Sequence, residues 1–427
     1  MRKKVLLKGP ILTQSGYGHH ARTVLRALRT REDLFDIYLQ SINWGSTSWL
    51  WKDDEERKWI DRKLQKTMGH VHSGQGFDFS IQVTIPNEWE KLAPINVGVT
   101  AGIETTKLSP QWLQKCEVVD KIITISEHAK RGFDQTSYIG SHPETKESIE
   151  LKCRKEIEVV HYPVLETSPD KLDLDLTTDF NFLSVVQISP RKNLPQLVKN
   201  FVESFKDNED VGLILKLNTA KNSKIDRVNT IMRLKGLLEP YRDRKCKIYL
   251  LHGYLSDEEM SGLFTHPKVK AYVTATHGEG FGLPIFESSY YGLPIIAPDW
   301  SGHVDFLYMP TTVKKNKKKK IVMKNMFSKI DYTLRQVQKE AVWDGVIQED
   351  SMWAYPDDAS LKKCMLDMYN DHGRFKKRAN TLKKWVLENF SAEDQYSKYV
   401  ESILSTSGLN IEEEVNNLFD QIQASNS

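Results

Sequence analysis

A chain of 427 residues exceeds the size of a single ordinary core, which predicts two domains. The formal net charge of +3 gives no overall field of the kind that attracts nucleic acid. No stretch approaches the roughly 18 consecutive apolar residues of a membrane-spanning helix, and the first apolar run is too short for a signal peptide, so we expect neither.

In the first half, short apolar runs alternate with helical patterns, which predicts a parallel sheet flanked by helices. The predicted strands cover residues 4–8, 36–40, 77–83, 95–100, 121–125 and 158–161, and the predicted helices cover residues 19–29 and 51–68. Ser126 is expected to cap a further helix. The polar, proline-containing stretch that ends at Asp170 predicts a linker, so we place the two domains at residues 1–170 and 171–390.

The end of the loop after the first strand and the start of the next predicted helix read Gly16-Tyr17-Gly18-His19-His20-Ala21, which matches the dinucleotide-binding pattern G-x-G-x-x-A. In that motif the glycines follow the strand immediately, whereas here about seven residues separate Lys8 from Gly16. An acidic residue should also end the second strand, which here runs into Ser41-Ile42-Asn43. We therefore reject a dinucleotide site at these glycines.

The second half repeats the alternation, with predicted strands at residues 180–187, 211–217, 248–251 and 269–274. Arg191 and Lys192 lie in a turn before a helix that is predicted to end near Phe205. Cations at a helix start oppose the helix dipole, which argues against a merely solvated pair. Ser256 and Glu259 form the pattern of a capping box at the start of a later helix.

The string His277-Gly278-Glu279-Gly280-Phe281-Gly282-Leu283-Pro284-Ile285-Phe286-Glu287 lies between a predicted strand and a predicted helix. Its glycines allow a tight turn close to a ligand, and Pro284 suits a first helical turn. Free N–H groups and a positive helix end then form an anion site. Hydroxyl groups of a sugar or ribose would explain the two carboxylates beside it. A glycine-rich connection with surface acids is the alternative.

The full string resembles the E-x7-E signature of retaining glycosyltransferases of family 4 (glycosyl transferases group 1), with the EGFGLP core in residues 279–284. Residues 292–297 (Gly-Leu-Pro-Ile-Ile-Ala), Asp299 and Ser301-Gly302 are also similar to that family. The resemblance implies a GT-B fold, an α/β architecture in which two Rossmann-like parallel-sheet domains face a cleft. It also implies that Glu279 and the amides of Gly280, Phe281, Gly282 and Leu283 face the donor sugar, and that Glu287 holds the nucleotide ribose.

Further roles follow from the same resemblance. Gly16 and Gly18 are expected to face the donor phosphates, and Arg191 and Lys192 to bind the diphosphate, with Glu279, Lys192 and Arg191 as the catalytic set. Glu104 resembles an acid of the family near the acceptor side, although a histidine that many relatives carry there is missing, and a cap on the following turn is equally compatible. A C-terminal helix within residues 391–427 is expected to pack back on the first domain.

These assignments predict transfer of a sugar from a nucleoside diphosphate to a hydroxyl of a glycan or other acceptor, with retained anomeric configuration. No cofactor is expected, and no metal, because no DxD string accompanies the donor motif. One alternative is transfer to modified nucleic-acid bases, and a more distant one is a non-catalytic sugar-nucleotide or glycan binding protein on the same fold.

Two features bear on location and partners. The four cysteines (Cys116, Cys153, Cys246 and Cys364) show no metal-ligand spacing, which favours reduced thiols in the cytoplasm. The lysine-rich run from Lys314 to Lys320 predicts a solvated, mobile loop. Contact of that run with an anionic acceptor, a peripheral membrane surface or nucleic acid stays open.

Overall fold

The structure is a computed structural model that describes residues 2–141, 148–315 and 318–406, and only the backbone of residues 314, 315 and 318. The strands are β1 Lys3–Gly9, β2 Phe35–Ser41, β3 Phe79–Val83, β4 Ile95–Thr100, β5 Lys121–Thr124, β6 Ser137–Ser141, β7 Ser148–Lys152, β8 Glu156–Val159, β9 Phe180–Gln187, β10 Val211–Asn218, β11 Lys247–Leu251, β12 Val269–Val273, β13 Ile295–Pro298, β14 Tyr308–Lys315, β15 Lys318–Asn325, β16 Ser328–Ile330, β17 Tyr332–Gln336 and β18 Met352–Pro356. The helices are α1 Gly16–Arg29, α2 Glu55–His72, α3 Pro110–Lys115, α4 Glu127–Gln135, α5 Leu194–Phe205, α6 Lys224–Leu238, α7 Asp257–Thr265, α8 Leu283–Tyr290, α9 Val304–Leu307, α10 Asp358–Asn370, α11 His372–Asn389 and α12 Ala392–Ser405.

The first sheet has six parallel strands in the order β2-β1-β3-β4-β5-β8. Its central strands are almost continuously buried because helices cover both faces of such a sheet. The direction of strand order reverses at β1, so the crevice for a ligand lies at the carboxyl ends of β1 and β3. Helix α1, whose first turn carries Gly16 and Gly18 and begins before the predicted residue 19, and the loop with Glu104 follow strands at this edge of the sheet.

The second sheet also has six parallel strands, in the order β11-β10-β9-β12-β13-β16. Here the order reverses at β9, which lies between β10 and β12. The turn with Arg191 and Lys192 follows β9, and the loop with Glu279 follows β12. Two parallel-sheet units with helices between their strands confirm the predicted α/β class.

Helix α12 and a strap are two of the connections between the halves of the chain. Helix α12 returns to the first half, where Tyr399, Val400 and Ile403 are buried in the same cluster as Val24 and Leu28 of α1. The predicted range for the C-terminal helix is 391–427, of which residues 407–427 lie outside the described residues. The second connection is a strap, residues 337–351, whose Val346 is buried in a cluster of the first half.

The described residues of the run from Lys314 to Lys320 do not form the expected loop. It lies on β14 and β15, which pair as an antiparallel hairpin, while residues 316–317 lie outside the described part of the chain. Direct pairing of the two backbones, with Thr312 opposite Ile321, overcomes the repulsion among lysines. Within the described ranges, no helix is both long and apolar enough to cross a membrane.

Candidate functional site

A cluster of four charged side chains lies where the two sheets face each other. The Lys192 Nζ lies 2.6 Å from Oε1 and 2.8 Å from Oε2 of Glu279, and the Arg191 Nη1 lies 3.0 Å from Oε2. The Arg191 Nε also lies 3.3 Å from Oε1 of Glu104, which comes from the first half. Glu104 therefore forms an ion pair across the two halves, and among the described residues no backbone N–H donates a capping hydrogen bond to its carboxylate.

Burial and charge act against each other in this cluster. Burial alone would raise the pKa of Glu279, but Lys192 and then Arg191 outweigh it and hold that pKa at about 2. Burial lowers the pKa of Lys192 despite the attraction of Glu279. For Arg191, burial is outweighed by Glu104 and Glu279, so its pKa is raised. Glu279 is thus a fixed anion that two cations hold in place at neutral pH.

The glycines of the loop after β12 are required for different structural reasons. An added Cβ at Gly278 would lie 2.7 Å from the carbonyl oxygen of Glu104, and one at Gly280 would lie 2.8 Å from that of Ala101. Gly282 has φ of 88°, in the left-handed region that favours glycine. Because Gly278 and Gly280 lack a side chain, the first half of the chain packs closely against this loop. This is a second reason for the glycines besides the expected close approach of a ligand.

The same loop presents unpaired donors. The N–H groups of residues 280–283 have no acceptor within the described part of the chain, and Pro284 follows at the start of α8 as predicted. The side chain of Phe281 is buried against Tyr162 and Phe306, so only its amide is available to a ligand. Four successive free amides at a helix start form an anion site.

Glu287 lies one turn into α8 and is half-buried. Its carboxylate makes no hydrogen bond to the protein within the described residues. Burial, and then the negative charge of Asp257, raise the pKa of Glu287 to about 8. Asp257 itself is paired at 2.8 Å with Lys52 of the first half.

A cavity of about 380 Å³ lies between the two halves, and its lining residue Trp51 precedes Lys52 in the chain. Trp51 contacts Tyr254 edge to face at 5.2 Å between ring centroids, and Trp49 is 54 % exposed. The cavity is lined from both halves by Gln14, Trp49, Trp51, Lys221, Asn222 and Tyr254. Flat aromatic rings beside amide groups suit a planar, hydrogen-bonding ring such as a nucleobase.

The N-terminus of helix α1 lies near the loop after β12, because the Tyr17 hydroxyl accepts the N–H of Ala101, the residue against which Gly280 packs. Ser15 caps it by accepting the N–H of Gly18 at 2.9 Å, while the N–H groups of Gly16 and Tyr17 have no acceptor among the described residues. An added Cβ at Gly18 would lie 2.1 Å from the Thr13 carbonyl oxygen, whereas the space around Gly16 is open. Gly18 is therefore needed by the fold itself, and Gly16 is the one that leaves room for a ligand.

Two supporting residues carry backbone strain that the sequence pattern did not reveal. Asn193 (φ of 49°) and Ser301 (φ of 75°) are the non-glycine residues with positive φ in the described ranges. Asn193 follows Lys192 directly, and Ser301 accepts the N–H of Glu279 at 2.7 Å. Strain of this kind is concentrated at functional sites, and no local sequence signal announces it.

The charged cluster consists of two cations and two carboxylates that form ion pairs with one another. In the part of the chain that the structure describes, no group of three or more His, Cys, Asp or Glu side chains is arranged to hold a metal ion. Metal independence stays a prediction.

Comparison with solved structures identifies the fold. HepE from Anabaena, solved with UDP and glucose, superposes with a TM-score of 0.55 at 12% identity, covering 95% of this chain and 100% of that one. Sucrose-phosphate synthase from Thermosynechococcus elongatus gives a TM-score of 0.57 at 12% identity over 99% of this chain and 100% of that one. A glycosyltransferase from Rickettsia africae gives a TM-score of 0.57 at 13% identity over 96% and 100%.

The sequence itself matches no family model and no curated protein. At 12% to 13% identity, similarity to these structures establishes the fold, and the chemistry has to be inferred from the residues of the site. The chain has the GT-B fold, in which two Rossmann-like parallel-sheet units face a cleft.

Proposed function

We propose that this protein is a retaining glycosyltransferase that moves a sugar from a nucleoside diphosphate to a hydroxyl group of an acceptor. One observation carries the proposal: the site holds a suitable chemical group for each part of a nucleotide sugar. These groups are the ion-paired Glu279, the free amides of residues 280–283, Glu287, and the aromatic cavity at Trp51 and Tyr254. These would meet the sugar, the diphosphate, the ribose and the base in turn.

The charges of the cluster support this assignment of parts. The two cations, Arg191 and Lys192, are balanced by the two carboxylates of Glu104 and Glu279. A diphosphate therefore needs further donors, which the amides of residues 280–283 and of Gly16 supply. Lys192 has three N–H donors and uses two on Glu279, so one is left for a phosphate oxygen.

The difficult step is departure of the nucleoside diphosphate as positive charge grows on the sugar ring. Fixed amides and Lys192 stabilise the leaving negative charge, because donors that are already oriented cost no reorganisation during the reaction. Glu279 stays ionised and stabilises the positive ring without becoming a covalent nucleophile. The leaving phosphate accepts the proton of the incoming hydroxyl on the same face, which retains the anomeric configuration.

Binding of nucleotide sugars to the full chain tests the first part of the proposal. UDP-, GDP- and ADP-sugars are screened by thermal shift, since a ligand that binds only the folded state raises the melting temperature. UDP-sugars are the first choice because HepE, which has the same fold, was solved with UDP-glucose. Failure of every nucleotide sugar to shift the melting temperature at millimolar concentration would reject the proposal.

Turnover separates an enzyme from a binding protein on the same fold. With the donor that binds, release of the nucleoside diphosphate is measured over a panel of glycans, and the configuration of the new linkage is determined by NMR. We expect a retained configuration and activity in the presence of a chelator. An inverted product would reject the proposed mechanism, and activity that a chelator abolishes and manganese restores would reject metal independence.

A further inference from the structure

The hairpin of β14 and β15 differs in composition from the rest of the molecule. Its two strands carry six lysines, at positions 314, 315, 318, 319, 320 and 324, and no acidic residue, whereas the whole chain is nearly neutral. The strands pair with each other and with no other strand of the described chain. A two-stranded hairpin alone is only marginally stable in water, so an external contact would stabilise it.

Apolar side chains lie among these lysines on the outside of the hairpin. Ile321 is 69 % exposed and Met323 is 59 % exposed, and side chains two apart share one face of a strand. Lys319 belongs to the same face, and Lys320 and Lys324 are exposed on the opposite one. One face of β15 thus presents two exposed apolar side chains beside Lys319, and the other face presents two further lysines.

The base of the hairpin is fixed to the candidate site. The hydroxyl of Tyr308 donates to the carboxylate of Asp299, at 2.8 Å and 2.9 Å from its two oxygens. Ser301, which follows Asp299 by two positions in the chain, accepts the N–H of Glu279. The hairpin therefore projects from the segment that supports the proposed reaction centre, and an eight-residue strand spans about 27 Å.

We propose that this hairpin attaches the protein to the surface of an anionic lipid bilayer. Lysines are attracted to acidic headgroups, and Ile321 and Met323 enter the boundary between headgroups and acyl chains. A nucleic acid would satisfy the lysines through its phosphates but would leave the two apolar side chains in water. The combination of charge and exposed apolar surface therefore favours a membrane. This inference stands independently of the proposed transferase activity.

Sedimentation of the full chain with lipid vesicles tests the proposal. Vesicles of phosphatidylcholine with 30% phosphatidylserine are compared with pure phosphatidylcholine at low and physiological salt; binding should require the acidic lipid and weaken with salt. The variant K319Q/K320Q/K324Q should bind the acidic vesicles about tenfold more weakly or worse. The variant I321S/M323S, which keeps every charge, should bind them at least about fivefold more weakly.

Matched controls remove equal charge or apolar surface elsewhere. K235Q/K247Q/K398Q removes three exposed lysines outside the hairpin, and I225S/V228S removes two exposed apolar side chains of α6. Both controls should bind like the wild type, and circular dichroism should show all variants folded.

Three results would overturn the proposal. The first is equal binding to neutral and acidic vesicles. The second is full binding by I321S/M323S, which would leave only charge attraction. The third is tighter binding to a 20-base-pair DNA duplex than to vesicles, lost in the lysine variant, which would make the hairpin a nucleic-acid site.

Discussion

At the scale of single residues, the candidate site depends on a few buried charges that lie far apart along the chain. Arg191 and Glu279 are 88 positions apart, yet their side chains meet at 3.0 Å. The two carboxylates of the E-x7-E string are in opposite states. Glu279 is held ionised by two cations, whereas burial and Asp257 disfavour the ionised form of Glu287. Two acids with pKa values pushed apart by their surroundings are suited to different tasks.

Substitution of the two acids should separate catalysis from binding. Glu279→Gln should lower turnover more than donor affinity, because Glu279 faces the reacting sugar in the proposed complex. Glu287→Ala should weaken nucleotide binding by about tenfold or more, since removal of one partner of a buried hydrogen bond costs roughly 1–3 kcal/mol. Steady-state kinetics and calorimetric titration of the nucleotide measure the two effects.

Glu209→Gln, at an exposed turn, is the control and should change neither quantity. Unchanged kinetics in both site variants would remove these acids from the mechanism.

The raised pKa of Glu287 predicts a dependence of stability on pH. A carboxyl with a folded pKa of about 8 and an ordinary value of 4.5 binds its proton more tightly in the folded state, so it stabilises the fold at low pH. This stability is lost as pH rises from 4.5 through about 8. Between pH 6.0 and 8.5 the wild type should therefore lose at least about 1 kcal/mol of unfolding free energy relative to Glu287→Gln.

Urea unfolding of both proteins at the two pH values measures this difference. A constant difference between them would show that Glu287 titrates normally in the folded protein.

At the scale of elements, the strap of residues 337–351 is the main feature that sequence patterns did not indicate. Its Gly345 has φ of 71°, and the Gly345 carbonyl oxygen accepts from the Ser109 hydroxyl at 2.7 Å and the Asn87 amide at 3.0 Å. Val346 is buried in the cluster of Trp89 and Trp112. The strap thus fixes the second half of the chain to the first beside the Glu104 loop.

Gly345→Ala should weaken this attachment. The left-handed backbone costs a residue with a Cβ about 1–2 kcal/mol, and the new methyl group would lie 2.3 Å from Oε1 of Gln111, which must move. We expect a loss of unfolding free energy of that size in urea denaturation. Gly236→Ala, in the exposed interior of α6 with open space around it, should instead stabilise the protein by up to about 1 kcal/mol. Equal effects of the two changes would mean that the strap contributes no local constraint.

At the scale of the whole molecule, the order of elements along the chain and their order in space differ. Helix α12 is last among the described elements, but it completes the core of the first sheet, where Ile403 is fully buried. A further cluster mixes Ile125 and Tyr162 of the first half with Phe281 and Phe286 of the second. The two halves therefore share cores in addition to meeting at the cleft.

Ile403→Ala should destabilise the first sheet, although Ile403 lies far from the strands of that sheet in the sequence. Truncation of a buried isoleucine to alanine typically costs about 2–5 kcal/mol. Glu401→Ala on the exposed side of the same helix is the matched control and should cost less than about 0.5 kcal/mol. Hydrogen exchange of β1 and β3 amides reports where stability is lost. Loss confined to α12 itself, with β1 and β3 unaffected, would contradict a shared core.

The sequence predicted much of the fold because its signals are local. The observed β4 and β9 begin and end at the predicted residues, and Ser126 and the Ser256–Glu259 box cap their helices as expected. The charge run at Lys314–Lys320 was interpreted wrongly because repulsion among side chains says nothing about backbone pairing between two strands. The assignment of Gly16, Glu279 and Glu287 to donor groups stays a prediction until a ligand is bound.

By itself, the sequence determined the two alternating α/β units and the glycine-rich turn into α8, because periodicity, capping and left-handed backbone are properties of neighbouring residues. Only the tertiary structure decided that Arg191 bridges Glu104 and Glu279, that Ser301 supports Glu279, and that Glu287 lies beside Asp257. Those contacts join residues far apart in the chain. The energy of a charge depends on its distance to other charges and on its burial, which exist only once both halves have folded against each other.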